Sequence, residues 1–304
     1  MRDETASHCL SDLPWHCPIV QKVPEAVGGG DKEVTPRMSV LIPTRNAPEI
    51  VAMTLAHYWA NAHDDDLVAS VTLLDNCSTA PGMEAIFAAA IRRGAHVIRH
   101  ERNLGVWTSL NRGLALSRSE KVFVLTSDIL LAPDALKWLD AIQDDSGCDF
   151  LGPRVISDKI DDLWRLYEDP CPAQKVDYSM YNGAALLLSR RCIEAVGSFD
   201  SSMYVAYGDT DFAQRVRDAG LQYGVTDAVR CLHLDKKSRQ ADATASQDTE
   251  IEIRDWERFA AKWKDRPDVL RQHPRPDRIV YNMMKDRYWS HNEQSQSILQ
   301  EVSA

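Results

Sequence analysis

Four short groups of polar residues in the first half of the sequence carry side chains that could bind a ligand. They combine carboxylates, amides, hydroxyls and guanidinium groups, which recognise charged or hydrogen-bonding ligands. A single polar residue after an apolar segment ordinarily belongs to a turn or a helix cap. Several groups in equivalent positions indicate a shared site, and they are Pro43-Thr44-Arg45-Asn46, Asp75-Asn76, Arg102-Asn103 and Ser127-Asp128.

The elements around these groups must bring them together. Short apolar segments of strand type precede them, at residues 38–42, 70–75, 96–100 and 121–126. Segments of helical pattern follow them, one ending at residue 60 and the others covering 83–93, 108–117 and 133–143. This alternation predicts βαβ units and a mostly parallel sheet. In such sheets ligands bind beyond the carboxyl ends of the strands, where all four groups would lie.

Local signals mark where the first elements end and begin. Pro43 is predicted to end the first strand, because proline lacks a backbone N–H donor. Asn46 is predicted to cap the helix that follows, with Pro48 and Glu49 in its first turn. The alternation then weakens after residue 150. We predict an irregular, partly helical segment (157–180), a strand (182–189), a short helix ended by Gly197, an amphipathic helix (210–220), a last strand (228–234) and two long helices (248–270 and 277–300).

Composition excludes several classes of protein. The chain has 304 residues, with 35 basic and 45 acidic side chains and a net charge of −10, which argues against a general nucleic-acid binder. No apolar run reaches the roughly 18 residues needed to span a membrane, and the N-terminus lacks a signal-peptide pattern. The seven cysteines form no C-x-x-C pair, so no disulfide framework or zinc cage is expected. The sequence predicts a reduced, cytoplasmic protein.

Residues 38–234 resemble the family 2 glycosyltransferases of the GT-A fold. The resemblance rests on the order and spacing of SVLIPTRN (39–46), VTLLDNCST (71–79), RNLGVWTSLNRGL (102–114), FVLTSDILLAPDAL (123–136), NGAALLLSRR (182–191), VGSFDSSMYVAYGDTDFAQRVRDAG (196–220) and CLHL (231–234). It implies a GT-A-like α/β fold, with a Rossmann-type mixed, mostly parallel sheet flanked by helices. We therefore expect an N-terminal extension (1–36), a glycosyltransferase domain (37–235) and a helical C-terminal extension packed on that domain (236–304).

The same resemblance assigns the metal-binding and catalytic residues. Asp128 occupies the metal-binding D-x-D position, with Thr126 in place of the first acid, and His233 is expected to be a second ligand. Mn²⁺ or Mg²⁺ held there would neutralise the charge of a diphosphate leaving group. Asp209 is implied as the general base, and Gly208 stands before it where glutamate is common.

The resemblance also implies a pocket for the nucleotide of a donor. Asp75 resembles the residue that reads the nucleobase edge, which suits uracil or thymine, although guanine also offers N–H donors. Arg102 is expected to face a phosphate or the base. The other residues expected around the nucleotide are Pro43, Thr44, Arg45, Asn46, Asn76 and Ser127.

Together these features predict an inverting, metal-dependent glycosyltransferase that moves a sugar from a nucleotide-diphosphate sugar, preferably a UDP-sugar, to a hydroxyl or amine. The sequence leaves the acceptor open between a glycan, a lipid-linked molecule, a small molecule and a phosphate-bearing polymer that the basic stretch 258–287 could meet. Formation of a homo-oligomer is also left open. The alternatives are a non-catalytic nucleotide-sugar or glycan-binding module of the same fold and a nucleotidyltransferase. A dehydrogenase is disfavoured, because no G-x-G-x-x-G follows the first strand.

Overall fold

The computed structural model describes residues 37–168, 176–234 and 248–276, which form a nine-stranded mixed sheet with helices on both faces. The strands are β1 (Met38–Thr44), β2 (Val68–Asp75), β3 (His96–Arg99), β4 (Lys121–Leu125), β5 (Ile129–Leu131), β6 (Phe150–Ser157), β7 (Val176–Asp177), β8 (Ala185–Ser189) and β9 (Tyr223–His233). The helices are α1 (Pro48–His57), α2 (Met83–Arg92), α3 (Val106–Leu116), α4 (Ala135–Ser146), α5 (Arg190–Val196), α6 (Gly208–Asp218), α7 (Asp248–Lys262) and α8 (Pro267–Gln272). A π-helical turn (Tyr58–Ala62) extends α1, and a 3₁₀ helix (Ile160–Tyr167) follows β6.

The strand order is β3-β2-β1-β4-β8-β6-β9-β5, and β7 pairs with β9 outside this series. Strands β1 to β4 form a parallel half, in which β1 pairs with β2 and β4, and β2 with β3. In the mixed half, β8 runs antiparallel to β4 and β6, β6 is parallel to β9, and β5 and β7 are antiparallel to β9. The predicted α/β class is confirmed, with antiparallel pairing concentrated in the mixed half.

The parallel half is apolar on both faces, as expected for a sheet covered on each side by helices. Along β1, Val40 and Ile42 belong to the core that contains residues of α1, α2 and α4. The intervening Leu41 belongs to the opposite core, which contains residues of α3, α6 and α7. This alternation of side chains fixes β1 at the centre of the parallel half, so its carboxyl end is held from both faces.

Two local predictions around β1 are wrong. Strand β1 continues through Pro43 to Thr44, because its pairing with β4 ends at Leu41 and proline therefore needs no donor on that side. Asn46 does not cap α1, whose first turn has no side-chain cap. Its Oδ1 instead accepts hydrogen bonds from the backbone N–H groups of residues 79 and 80, at 2.8 and 3.0 Å.

Other elements also differ from the sequence pattern. Strands β5 and β6 were not predicted, because β5 is very short and β6 contains Pro153 and precedes no regular α-helix. The helix predicted over 248–270 is two helices, α7 and α8, which are separated by a short turn. The predicted helix 277–300 and the N-terminal extension 1–36 lie outside the described residues.

Helices α7 and α8 pack on the sheet-bearing part of the chain. Phe259 of α7, Trp263 just after that helix and Val269 of α8 are buried in the same apolar core as Leu41 and Phe212. None of the described helices is both long enough and apolar enough to cross a lipid bilayer.

Candidate active site

A cavity of about 840 Å³ opens between the carboxyl ends of the parallel strands and the first turn of α6. Both halves of the sheet contribute to its wall, as does α7. Eight of the residues predicted from the sequence line it: Pro43, Thr44, Arg45, Asn76, Ser127, Asp128, Asp209 and His233.

Asp128 and His233 come together through the pairing of β5 with β9. The antiparallel register sets Ile129 opposite His233, which brings the preceding carboxylate beside the imidazole. Asp128 Oδ1 lies 3.7 Å from His233 Nε2. The hydroxyl of Thr126, at the position of the missing first acid, donates a hydrogen bond of 2.8 Å to the same Oδ1. Thr126 therefore orients the carboxylate that remains.

Asp209 lies in the first turn of α6, with its carboxylate packed against Gly183. A β-carbon at position 183 would overlap that carboxylate, so glycine is required there by close approach. Burial raises the pKa of Asp209 above the ordinary aspartate value, although hydrogen bonds from the backbone and from Thr210 oppose the shift. The Thr210 hydroxyl lies 2.6 Å from the hydroxyl of Tyr181, which also lines the cavity. A carboxyl group that lines a cavity and has a raised pKa is suited to accept a proton.

The packing of Trp107 against position 208 explains why a glycine precedes Asp209. The indole of Trp107 lies so close to Gly208 that any β-carbon at position 208 would overlap the ring. Trp107 is 4% exposed and packs on Phe199, with ring centroids 5.1 Å apart. The aromatic ring therefore occupies the space that a larger residue before Asp209 would need.

Arg45 and Asn76 form the side of the cavity next to the parallel half. The guanidinium of Arg45 donates to the backbone carbonyl of Asn76 at 3.0 Å. The Asn76 side chain in turn accepts from the N–H of Leu104 at 3.3 Å and donates to the carbonyl of Gly105 at 3.4 Å. These contacts tie the loops after β1, β2 and β3 into one surface.

Three residues predicted for the site, Asn46, Asp75 and Arg102, do not line this cavity in the described part of the chain. The carboxylate of Asp75 is fully buried, and it accepts hydrogen bonds of 3.0 Å from Arg99 Nε and 3.0 Å from the N–H of Ser78. Arg102 is exposed on the surface. Contacts between these three residues and a nucleotide stay predictions from the sequence.

Helix α7 contributes wall residues that the sequence analysis missed. Ile251 and the buried Glu252 line the cavity. Asp255, one turn further along, is fully buried and binds the backbone of the loop before α6. The sequence did contain one indication of their burial. Glu252, Asp255 and Phe259 are spaced to share one face of a helix, so the two acids lie on the same face as the apolar stripe.

Solved structures of glycosyltransferases share this fold. A structure of GalNAc-T7 with UDP, GalNAc and Mn²⁺ matches with a TM-score of 0.55 and 13% identity, covering 66% of this chain and 44% of that protein. The mannosyltransferase PcManGT from Pyrobaculum calidifontis, in complex with GDP-Man and Mn²⁺, matches with a TM-score of 0.55 and 17% identity, covering 75% of this chain and 65% of the other. The architecture is therefore the GT-A fold.

Residues 39–204 match the profile of glycosyl transferase family 2, and the chain belongs to that family. The matched segment includes Asp128 but ends before Asp209 and His233. The O-antigen biosynthesis protein RfbC of Myxococcus xanthus is 22% identical over 239 residues, which cover 70% of this chain. This chain spans only 18% of the length of that relative.

Proposed function

We propose that the chain catalyses inverting, metal-dependent transfer of a sugar from a nucleotide-diphosphate sugar to a hydroxyl or amine acceptor. The observation that carries this proposal is the meeting, in one cavity, of Asp209 with the Asp128–His233 pair. The first is a carboxyl group with a raised pKa, and the second is a pair of groups that suits a divalent cation.

Asp209 is assigned the role of general base. Its carboxylate, held against Gly183, accepts the proton of the acceptor hydroxyl while that oxygen attacks the anomeric carbon. Attack from the face opposite the leaving diphosphate inverts the configuration at that carbon. The pKa of Asp209 is raised toward neutral pH, which makes its carboxylate a stronger base.

Asp128 and His233 are assigned to hold Mn²⁺ or Mg²⁺. Their facing atoms, Asp128 Oδ1 and His233 Nε2, are 3.7 Å apart, close enough for both to contact one ion. The described residues contain no group of three acidic, His or Cys side chains that could hold a metal, so the donor diphosphate would supply further ligands. The bound cation would neutralise charge on the leaving diphosphate.

The donor is proposed to be a UDP-sugar, with its nucleotide against Pro43, Thr44, Arg45, Asn76 and Ser127. The two similar structures contain UDP and GDP-Man, so both nucleotides are compatible with the fold. The named relative acts in O-antigen biosynthesis, which supports a glycan or lipid-linked acceptor. A cytoplasmic location is proposed from the sequence, because its scattered cysteines predict a reduced protein.

The test is turnover of UDP- and GDP-sugars by the purified chain with Mn²⁺ or Mg²⁺, scored as release of the nucleoside diphosphate. We expect activity to require the metal and to fall by about 10²-fold or more in Asp209→Asn, which removes the base. Asp128→Ala is expected to weaken metal-dependent UDP binding. Asp218→Asn, at the far end of α6, is the matched control and keeps full activity. Full activity in both Asp209→Asn and Asp128→Ala would refute the assignment.

A non-catalytic donor-binding module is the second candidate, favoured by Thr126 in place of an acid and by Gly208 before Asp209. It predicts metal-dependent binding of a nucleotide sugar without hydrolysis or transfer. Binding is measured by thermal shift with UDP-, GDP-, dTDP- and CDP-sugars, because a ligand stabilises the fold it binds. A release of pyrophosphate from a nucleoside triphosphate would instead indicate a nucleotidyltransferase.

A further inference from the structure

Helix α7 lies beyond the family-matched residues 39–204, yet its inner face contacts the segment that leads to the proposed base. Asp255 Oδ2 accepts hydrogen bonds from three consecutive backbone N–H groups, those of Tyr204, Val205 and Ala206, at 2.9, 2.8 and 3.0 Å. The carboxylate is fully buried. Convergent N–H groups of this kind bind an anion strongly, and here the anion belongs to the same chain.

The remaining turns of α7 reinforce this contact. Arg258 Nη1 lies 3.4 Å from Asp255 Oδ1, which balances the buried charge. One turn further, Phe259 packs on Tyr207, with ring centroids 5.4 Å apart. Lys262 Nζ reaches Asp211 Oδ1 at 2.7 Å, in the first turn of α6. The helix therefore holds both the loop 204–207 and the beginning of α6, on either side of Asp209.

The opposite side of the loop is held by α3. The N–H of Val106 donates to the carbonyl of Tyr204 at 2.8 Å, and the Tyr204 ring lies against Gly105. Tyr207, the residue before α6, has a φ of 61°, a left-handed conformation that a tyrosine rarely adopts without support. Surrounding contacts must maintain such a conformation, and those of Asp255 are adjacent to it.

We propose that Asp255 is a positioning residue, which fixes the loop 204–207 so that α6 starts at the angle that sets the Asp209 carboxylate against Gly183. The proposal rests on the proposed function for its catalytic consequence. Asp255 is not among the described residues that line the cavity, so its effect passes through the backbone of the loop. The helix after the sheet is accordingly part of the catalytic unit.

The experiment compares Asp255→Ala, Asp255→Asn and the control Glu257→Ala in the full chain. Glu257 is an acid on the same helix, but it forms an exposed ion pair with Arg275 at 3.2 Å. Two measurements are made: amide hydrogen exchange of the loop 204–207 without substrate, and kcat and KM for UDP-sugar turnover across pH.

In Asp255→Ala we expect faster exchange of the loop and a kcat lower by about 10²-fold with little change in KM, as for a misplaced catalytic group. Because a looser loop admits water to Asp209, the acidic limb of the pH profile should move to lower pH. Asp255→Asn keeps an oxygen that can accept the N–H bonds, so it should recover most of both properties. Glu257→Ala should match the wild type.

The outcomes separate the two proposals. Unchanged loop exchange in Asp255→Ala, in a protein that remains folded by its melting temperature, overturns the role of Asp255. Faster exchange with an unaltered kcat and pH profile overturns it as well. If Asp255→Ala fails to fold, the result for Asp255→Asn decides. A fall in kcat in Asp255→Asn as large as that in Asp209→Asn would contradict the proposal, because the asparagine oxygen should still accept the N–H bonds. A wild type without any turnover contradicts the proposed function. Hydrogen exchange of the loop 204–207 then tests only whether Asp255 fixes that loop.

Discussion

The loops after β1 and β2 include side chains that hold neighbouring loops together, whereas the side chains beside β5, β9 and α6 face the cavity. Asn46 and Asp75 bind backbone N–H groups of the loop after β2. Asp128 in the turn between β4 and β5, His233 at the end of β9 and Asp209 in α6 all line the cavity. Arg45 and Asn76 do both, since they line the cavity and also bind one another.

This difference follows from how each half is connected. Loops of the parallel half lie side by side and leave many backbone donors near each strand end, and buried donors of this kind must be satisfied. In the mixed half, antiparallel pairing already satisfies the neighbouring backbone, as in the bond of 2.9 Å from the N–H of Leu234 to the carbonyl of Asp128. The side chains of Asp128 and His233 lie beside each other on the cavity wall there.

The largest effect is expected from Gly183→Ala in the mixed half. The new β-carbon overlaps the Asp209 carboxylate and displaces it, so kcat should fall by about 10²-fold while the melting temperature changes little. Steady-state kinetics and thermal denaturation measure the two properties. Gly113→Ala is the control, because its β-carbon meets the side chains of Leu41 and Leu74 in the core. It should lower the melting temperature and preserve kcat, and the opposite pattern would contradict the comparison.

The pH dependence of turnover tests the environment of Asp209. The proposed base is active when ionised, and the pKa of Asp209 is raised above the ordinary value of 3.8, so activity should fall as the pH drops through a value above 3.8. Below that point kcat/KM should decrease by about tenfold per pH unit, since one proton blocks the base. A pH–rate profile with its acidic limb at or under 3.8 would show that burial does not govern this group.

Asp75→Ala tests the parallel half. Removal of the carboxylate leaves the N–H of Ser78 and the guanidinium of Arg99 without their acceptor, so the free energy of unfolding should fall by about 1–3 kcal/mol. Urea denaturation measures this loss. Titration of the same folded variant with UDP and Mn²⁺ provides the discriminating result. A Kd close to that of the wild type supports a loop-holding role, and a tenfold weaker Kd would restore Asp75 as a contact of the nucleobase.

The smallest effect is expected from Arg102→Ala. Arg102 is exposed and lies outside the described cavity wall, so stability should change by no more than about 0.5 kcal/mol. UDP affinity, measured by the same titration, should also remain within about twofold of the wild type. A marked loss of affinity would show that the parallel half does supply a phosphate-binding side chain.

Local pattern was sufficient to predict most elements of the parallel half, because each strand and helix there carries its own periodicity. It was insufficient for β6, where Pro153 interrupts an apolar run whose strand character comes from its neighbours β8 and β9. The position of a polar residue after a strand also did not reveal its partner. An asparagine at position 46 would suit a helix cap and equally suits the bonds that it makes to residues 79 and 80. Only the folded loop distinguishes these two roles.

The catalytic candidates were predictable for a different reason. Asp128, Asp209 and His233 were found through resemblance to a family, and the structure brings all three to one cavity. Asp255 lies outside the family-matched residues, and its helical face does not reveal its three backbone partners, which lie about 50 residues away along the chain. Contacts of that separation leave no local periodicity in the sequence.

The order of the strands in the sheet also determines which strand pairs can form early during synthesis of the chain. Strand β5 pairs in the described sheet only with β9, which leaves the ribosome after every other strand of that sheet. Because closing so long a loop is entropically costly, pairing of this kind comes late in folding, whereas β1 to β4 can assemble from nearer contacts. A nascent chain therefore exposes Asp128 well before His233 exists beside it. If Asp128 and His233 hold a cation as proposed, the chain would acquire it as one of the last events of maturation, after the scaffold is complete.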